Sequence, residues 1–225
     1  MKGKLAQRAW VFAGGHYRVS DLDTKNISSD DLIVGVDHGI EHCLASDLTP
    51  DILIGDFDSV EQSLLSDPRL EHAERINYLR RKDQSDLELA LEHLAKSAVN
   101  SVTLLGVSGG RSDHHLFNWM LSLQKSWPFS LELIDDTVHA YLVSAQFPLT
   151  RTAQQSQIVS LLPMPRASGV CTSGLEYPLN NASLLPGSTL GLSNVANESI
   201  VQVSVSDGSL LAFFIREQAT ANKRT

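Results

Sequence analysis

Hydrophobic positions along this chain fall into two regimes. Through residue 145, short apolar runs alternate with stretches of helical spacing. The runs Ala9–Ala13, Leu32–Val36, Ile52–Ile54, Val102–Val107 and Leu131–Ile134 predict strands. Several are continuous rather than alternating, as parallel strands covered on both faces require. Leu87, Ala90, Leu91, Leu94, Ala95 and Ala98 recur at helical spacing. Ser85 with Glu88 three residues later forms a capping box ahead of them. Leu116, Trp119, Met120 and Leu123 predict the apolar stripe of a second helix, with Ser112 or Asp113 as its N-cap. Strand and helix in alternation predict an α/β, Rossmann-like domain with a mostly parallel sheet over residues 1–145.

Past residue 145 helical periodicity is absent. Runs at Gln157–Leu161, Leu190–Leu192, Ile200–Val205 and Leu210–Ile215 are separated by turn signals at Pro163-Met164-Pro165, Asn180-Asn181, Pro186-Gly187 and Asp207-Gly208. This predicts a small antiparallel β-sandwich or barrel over residues 146–218. Residues 219–225 read as a frayed tail.

Composition narrows the partners. The net charge is −8, which argues against nucleic acid or an anionic membrane, since both reward clustered Lys and Arg. It would also repel a free nucleotide triphosphate unless a divalent cation reversed the field locally. On charge alone, ordinary solubility is sufficient explanation. The first apolar run is too short for a secretory signal, and no stretch approaches the ~20 apolar residues that span a bilayer. Cys43 and Cys171 stand far apart in unlike contexts, so a disulfide framework or zinc site is not expected. A cytoplasmic location fits best.

The aspartates carry the candidate chemistry. Asp37 follows Leu32–Val36, and Asp56 and Asp58 follow Ile52-Leu53-Ile54-Gly55. Ligands of open α/β sheets bind at the carboxyl ends of strands. The pair Asp56 and Asp58 can hold a hard cation, or it can cap a turn through Asx-type bonds. A run of this form also occurs in metal-binding sugar transferases. In Lys82-Asp83-Gln84-Ser85-Asp86, Lys82 suits a phosphate oxygen. Asp83 and Asp86 sit at a helix N-terminus, where the dipole alone would favour them. Arg80 and Arg81 read as solvated charge.

Gly109-Gly110-Arg111-Ser112-Asp113-His114 turns a strand into a helix and can present backbone N–H groups and Arg111 to an anion. His114 reads as a proton carrier, a substrate ligand or a prop for a neighbouring carboxylate. His115 reads as surface. Two carboxylates converging at ~5 Å repel by about 3 kcal/mol at an effective dielectric of ~20. Several such pairs would rival the ~5–15 kcal/mol stability of a domain. Convergence with Mg²⁺ is the reading that also accounts for Lys82 and Arg111 nearby.

In order and spacing, Asp37, Gly55-Asp56-Phe57-Asp58-Ser59, Lys82–Asp86, Gly109–His114 and Asn118 resemble the thiamine pyrophosphokinase family. Thr172-Ser173-Gly174-Leu175-Glu176-Tyr177 and Ser193-Asn194 continue the resemblance, which spans about residues 32–212. It implies transfer of pyrophosphate from ATP to thiamine, and a homodimer with sites at the subunit interface. It implies catalytic roles for Asp37, Asp56, Asp58, Asp83 and Asp86, with Mg²⁺ on the last four. Lys82, Arg111, Asp113 and His114 would bind ATP. Gln84, Tyr177, Ser193 and Asn194 would bind thiamine. The chain departs from the family pattern at Val36 for alanine, His38 for glycine, Ser85 for threonine and Tyr177 for tryptophan. A metal-dependent glycosyl or nucleotidyl transferase, or a non-catalytic thiamine or nucleotide sensor, are the competing expectations.

Overall fold

A computed structural model of the chain describes residues 6–18, 26–58, 60–78 and 83–216. Ser59, Arg80, Arg81, Lys82 and the tail 219–225 lie outside the described residues. The chain divides into two compact units, one holding Met1–Leu121 and Ser126–Asp135, the other holding Ser122–Lys125 and Asp136–Thr225.

The first unit is a parallel sheet of six strands: β1 (Arg8–Phe12), β2 (Leu32–Val36), β3 (Ile52–Gly55), β4 (Glu74–Asn77), β5 (Ser101–Leu105) and β6 (Ser130–Ile134). Their order is β4-β3-β2-β1-β5-β6, and every pairing is parallel. The chain lays down β1 to β4 outward on one side, then returns to place β5 on the other side of β1. The direction therefore reverses between β1 and β5, and the crevice beyond their carboxyl ends is where such sheets bind ligands. Each apolar run forms its strand because both faces are buried; all of Leu32–Val36 and Ile52–Gly55 is. β5 stops at Leu105 rather than Val107, because Gly106 turns the chain with φ +66°.

Among the described residues, four α-helices accompany the sheet: α1 (Gly39–Ala45), α2 (Gln62–Leu65), α3 (Asp86–Leu94) and α4 (Ser112–Leu121). Ser85 caps α3, its hydroxyl accepting the Glu88 N–H at 3.2 Å. α4 differs from expectation. It starts at Ser112, so Ser112 and Asp113 lie inside the first turn, whose bond runs from the His115 N–H to the Arg111 carbonyl at 3.0 Å. Of the expected apolar stripe only Trp119 is buried within the helix. Leu116 and Met120 are exposed, and Phe117 is 71% exposed. The inward face is polar instead: His115, Asn118 and Trp119 at i, i+3 and i+4 each bond the loop that follows β5.

The second unit is antiparallel throughout: β7 (Val138–Ser144), β8 (Leu149–Thr152), β9 (Ile158–Ser173), β10 (Ala182–Leu184), β11 (Asn194–Val195), β12 (Ile200–Ser204) and β13 (Asp207–Ile215). β9 belongs to two sheets. Its first part pairs β13, which pairs β7; its last residues pair β12, which pairs β8. Val159, Leu161, Val170, Val201, Val203, Leu210 and Phe214 fill the core between them. Pro163-Met164-Pro165 lies within β9 and is not a turn. The β13 register breaks between Gly208 and Leu210 opposite these residues, and at such an irregularity a strand tolerates proline. Leu190–Leu192 forms a turn rather than a strand, with Leu190 and Leu192 exposed.

Candidate functional site

The candidate aspartates of the first unit lie beyond three strands that are adjacent in the sheet: Asp37 after β2, Asp56 and Asp58 after β3, and Asp83 and Asp86 at the head of α3, which follows β4 in the chain. Register brings the strand ends level, with Val36 beside Ile54 and Gly55 beside Asn77. The Asp37 N–H donates to the Ile54 carbonyl at 3.0 Å. Neighbouring strands are about 4.8 Å apart, so Asp37 and Asp56 leave the sheet side by side. Oδ1 of Asp37 is buried. It occupies the space where a Cβ on Gly55 would stand, 1.9 Å away.

The backbone here is unusual. Asp37 and Phe57 hold φ of +47° and +54°, a left-handed conformation that non-glycine residues adopt at a cost and that concentrates at functional sites. Asp56 Oδ1 accepts the Asp58 N–H at 3.2 Å, so the Asx turn weighed from sequence is present. One carboxylate oxygen of Asp56 holds the turn, while Asp58 is exposed. Asp86 is the first residue of α3, and Asp83 is exposed just before the cap. Among the described residues, no three His, Cys, Asp or Glu side chains are grouped closely enough to hold a metal ion unaided. His38 stands at the N-cap position of α1 without a side-chain cap bond; its Nδ1 lies 3.0 Å from Glu41 Oε1.

On the far side of β1 lies the glycine loop. Arg111 and Asp113 form a bidentate pair, Nε to Oδ1 at 3.1 Å and a terminal nitrogen to Oδ2 at 2.6 Å. Both side chains are exposed. The Arg111 guanidinium holds the Asp113 carboxyl down to about 2, against 3.8 ordinarily. Such a carboxylate is a weak base. His114 is exposed. His115 is also exposed but engaged: its Nδ1 accepts the Gly109 N–H at 3.2 Å, and its ring lies 6.1 Å from that of Trp119.

Two parts of this crevice carry no expectation from sequence. The first is Gly14-Gly15-His16, directly after β1. Gly15 N–H donates to the Gly106 carbonyl at 2.7 Å and His16 N–H to the Ser108 carbonyl at 2.6 Å. A Cβ on Gly15 would meet both carbonyl oxygens at 2.4 Å, so only glycine permits the approach. The second is Ser108 itself, which with Asp135 is buried. Its hydroxyl donates to Asp135 Oδ2 at 2.6 Å and accepts from Trp119 Nε1 at 3.1 Å. A glycine pair following an apolar run was the available signal for the first; the second joins residues 27 apart and left none.

In the second unit the structure brings together Tyr177, Ser193 and Asn194. Asn194 Oδ1 accepts the Tyr177 N–H at 3.1 Å and its Nδ2 donates to the Tyr177 carbonyl at 2.7 Å. Asn194 is thus a clip on the Tyr177 backbone, leaving the Tyr177 ring 66% exposed. Ser193 stands beside the clip with φ +56°, its N–H bonded to Ser160 Oγ at 2.9 Å. Gln84 is partly buried just ahead of the α3 cap.

Comparison with known proteins follows this division. Residues 24–132 match the family model of the thiamin pyrophosphokinase catalytic domain, and residues 146–210 match that of its vitamin B1 binding domain. Thiamine pyrophosphokinase of Bacillus subtilis is 29% identical over 204 residues, covering 89% of this chain and 95% of that protein. Thiamine pyrophosphokinase 1 of Oryza sativa subsp. japonica is 26% identical over 174 residues, 72% of this chain and 64% of that protein. The crystal structure of the Bacillus subtilis protein superimposes with a TM-score of 0.76 at 26% identity, covering 93% of this chain and 99% of the other. With both family domains matched in order over most of its length, this chain belongs to the thiamin pyrophosphokinase family.

Proposed function

We propose that this chain transfers a pyrophosphoryl group from ATP to the hydroxyl of thiamine, yielding thiamine pyrophosphate and AMP. The observation that carries the reading is the pair of carboxylates, Asp37 and Asp56, leaving the level ends of adjacent parallel strands, with Asp58 following and Asp86 opening α3, in a chain of this family. The family match does not favour a sugar or nucleotide transferase, or a sensor.

Mg²⁺ fits the residues present. They offer hard carboxylate oxygens, and they do not form a ready-made cage. Mg²⁺ is usually held by one or two carboxylates together with substrate phosphates and waters. Asp56, Asp58, Asp83 and Asp86 are the residues to hold it, and when bound it offsets charge on the phosphate oxygens. Asp37, locked against Gly55, shapes the floor beneath them.

The chain's own part is positioning. Arg111 is the cation for ATP on the described side of the site, with Asp113 and His114 beside it; Lys82 is assigned to the same phosphates. Arg111 is engaged by Asp113. Both partners are exposed and screened by solvent, so a phosphate can draw Arg111 away at little cost. One carboxylate, Asp86 or Asp113, accepts the thiamine hydroxyl proton. Gln84, Tyr177 and Ser193 contact thiamine, with Asn194 supporting Tyr177. By function residues 1–145 are the catalytic domain and residues 146–218 the thiamine-binding domain; β7, within the first range, pairs β13 of the second compact unit.

The protein acts as a homodimer with composite sites. Apolar Leu116, Phe117 and Met120 exposed on α4, and Ile158 and Leu162 exposed on β9, support assembly. No described helix is long and apolar enough to cross a membrane. Two free thiols, Cys43 and Cys171, suit the reducing cytoplasm. Incubation with ATP, Mg²⁺ and thiamine tests the reaction. AMP and thiamine pyrophosphate are the expected products; ADP and thiamine monophosphate as sole products would overturn it.

A further inference from the structure

Ser108 is a hub. Its hydroxyl joins the end of β6 through Asp135 and α4 through Trp119, at 2.6 and 3.1 Å. Its carbonyl receives the His16 N–H from the loop after β1. All three side chains are buried, each less than a tenth exposed. The residues on either side are tied down as well: Asn118 Nδ2 donates to the Val107 carbonyl at 3.1 Å, and His115 accepts from the Gly109 N–H. Three consecutive loop residues are therefore each bonded to one face of α4, and the middle one is also anchored below. The chain then runs through Gly109 and Gly110, both at positive φ, to Arg111. Those glycines have no stiffness of their own. What fixes the start of the turn is Ser108.

We infer that Ser108, held by Asp135 and Trp119, is a positioning residue that sets where the Gly109-Gly110-Arg111 turn stands at the β1–β5 crevice, and so sets the affinity for the ATP phosphates. This rests on the ATP reading above. The physical reason is that a buried hydroxyl with donor and acceptor both engaged has one orientation. Its removal deletes the bonds that join the loop to Asp135 and to the Trp119 N–H, and frees the loop to shift. A shift near 1 Å at a positioning element costs up to about a hundredfold.

The test compares wild type, Ser108→Ala, Ser108→Thr and Trp119→Phe. Binding of ATP with Mg²⁺ is followed by calorimetry, KM for ATP and for thiamine by product formation, and folding by thermal melting. Wild-type product identity reports on the reaction itself, while calorimetry reports on the inference whatever that product is. Ser108→Ala is expected to weaken ATP binding by about tenfold or more and to raise KM for ATP in step, with KM for thiamine within about twofold of wild type. Ser108→Thr keeps the hydroxyl and returns ATP affinity toward wild type. Trp119→Phe, which deletes one donor only and keeps an aromatic ring in place, weakens ATP binding in the same direction if Ser108→Ala does not fold. Unchanged ATP affinity in folded Ser108→Ala, or in Trp119→Phe where Ser108→Ala does not fold, overturns the inference. So does a Ser108→Thr as weak as Ser108→Ala, a loss shared equally by ATP and thiamine, or absence of ATP binding by wild type.

Discussion

Asp37 and Gly55 share one space: the buried Oδ1 of Asp37 stands where a side chain on residue 55 would begin, 1.9 Å from that ideal Cβ position. The two belong to adjacent strand ends, and Gly55 itself has φ +153°. A methyl group there cannot be absorbed by a surface rotamer, because the neighbour is a carboxylate held at positive φ beside the backbone. Gly55→Ala is expected to displace Asp37, cost about 1–3 kcal/mol as overpacking does, and lower kcat by at least about tenfold. Thermal melting and steady-state kinetics check this. A variant with wild-type melting and turnover would show that the contact is without consequence.

The charge of the next carboxylates can be separated from their architecture. Asp56 Oδ1 accepts the Asp58 N–H, and asparagine at 56 retains an oxygen for that bond while losing the charge. Asp56→Asn and Asp58→Asn are each expected to reduce kcat by about 10²-fold or more, on the scale of one electrostatic element of a transition state. Melting temperatures should stay level or rise, since like-charge repulsion is relieved. Near-wild-type turnover of either variant at saturating Mg²⁺ would remove that residue from the metal site.

Asp113 offers a test of the resting state of Arg111. Its carboxyl is held down to about 2, chiefly by the Arg111 hydrogen bonds. The folded value lies below the unfolded one. The pair's stabilisation is therefore present above pH ~4 and is lost as pH falls through the folded value. Both groups are exposed. Carbon-13 titration of the Asp113 carboxyl should give a midpoint near 2, rising toward the ordinary 3.8 in Arg111→Gln. Adding ATP with Mg²⁺ at neutral pH should shift the Arg111 side-chain signals as the guanidinium changes partner. An Asp113 midpoint that ignores Arg111→Gln would contradict the pairing.

How much of this was legible in the sequence depends on the range of the interactions. Five of the six parallel strands announced themselves as apolar runs, because burial on both faces favours apolar residues; a polar pair within them, Thr103 and Glu132, is joined by a hydrogen bond. β4, Glu74-Arg75-Ile76-Asn77, was silent: it is the edge strand, and only Ile76 is even partly buried. Ser85 was readable as a cap because capping is local. In α4 the periodicity was real but its meaning was not. Helical spacing identifies a face without saying what covers it, and here the face of Leu116 and Met120 is outward while His115, Asn118 and Trp119 hold the loop. The Asp37–Gly55 contact and the Ser108–Asp135 bond connect separate strands, and no local pattern encodes them. The acidic motifs stood out because charge at strand ends needs a reason; the seam of Gly14 and Gly15 was passed over because glycine has many.

The composite-site proposal makes a quantitative prediction. Asp56 lies in the catalytic domain, whereas Tyr177 and Ser193 lie in the vitamin B1 binding domain. If each site combines the first domain of one subunit with the second of its partner, a two-fold dimer holds two identical composite sites. Asp56→Asn disables one half of a site, and Tyr177→Ala with Ser193→Ala disables the other. Asn194 is left intact so that its clip on the residue 177 backbone survives. Each variant homodimer should be nearly inactive. In a mixed dimer, one site receives both damaged halves and the other receives both intact halves. Random association makes about half of all dimers mixed, each with one working site of two, so activity should recover to roughly a quarter of wild type. Co-expression of the two variants with different tags, followed by isolation of the mixed species, raises the expected value to about half. If the isolated mixed dimer is as inactive as its parents, each site draws both of its halves from one subunit, and the exposed apolar residues of α4 and β9 serve some purpose other than completing it.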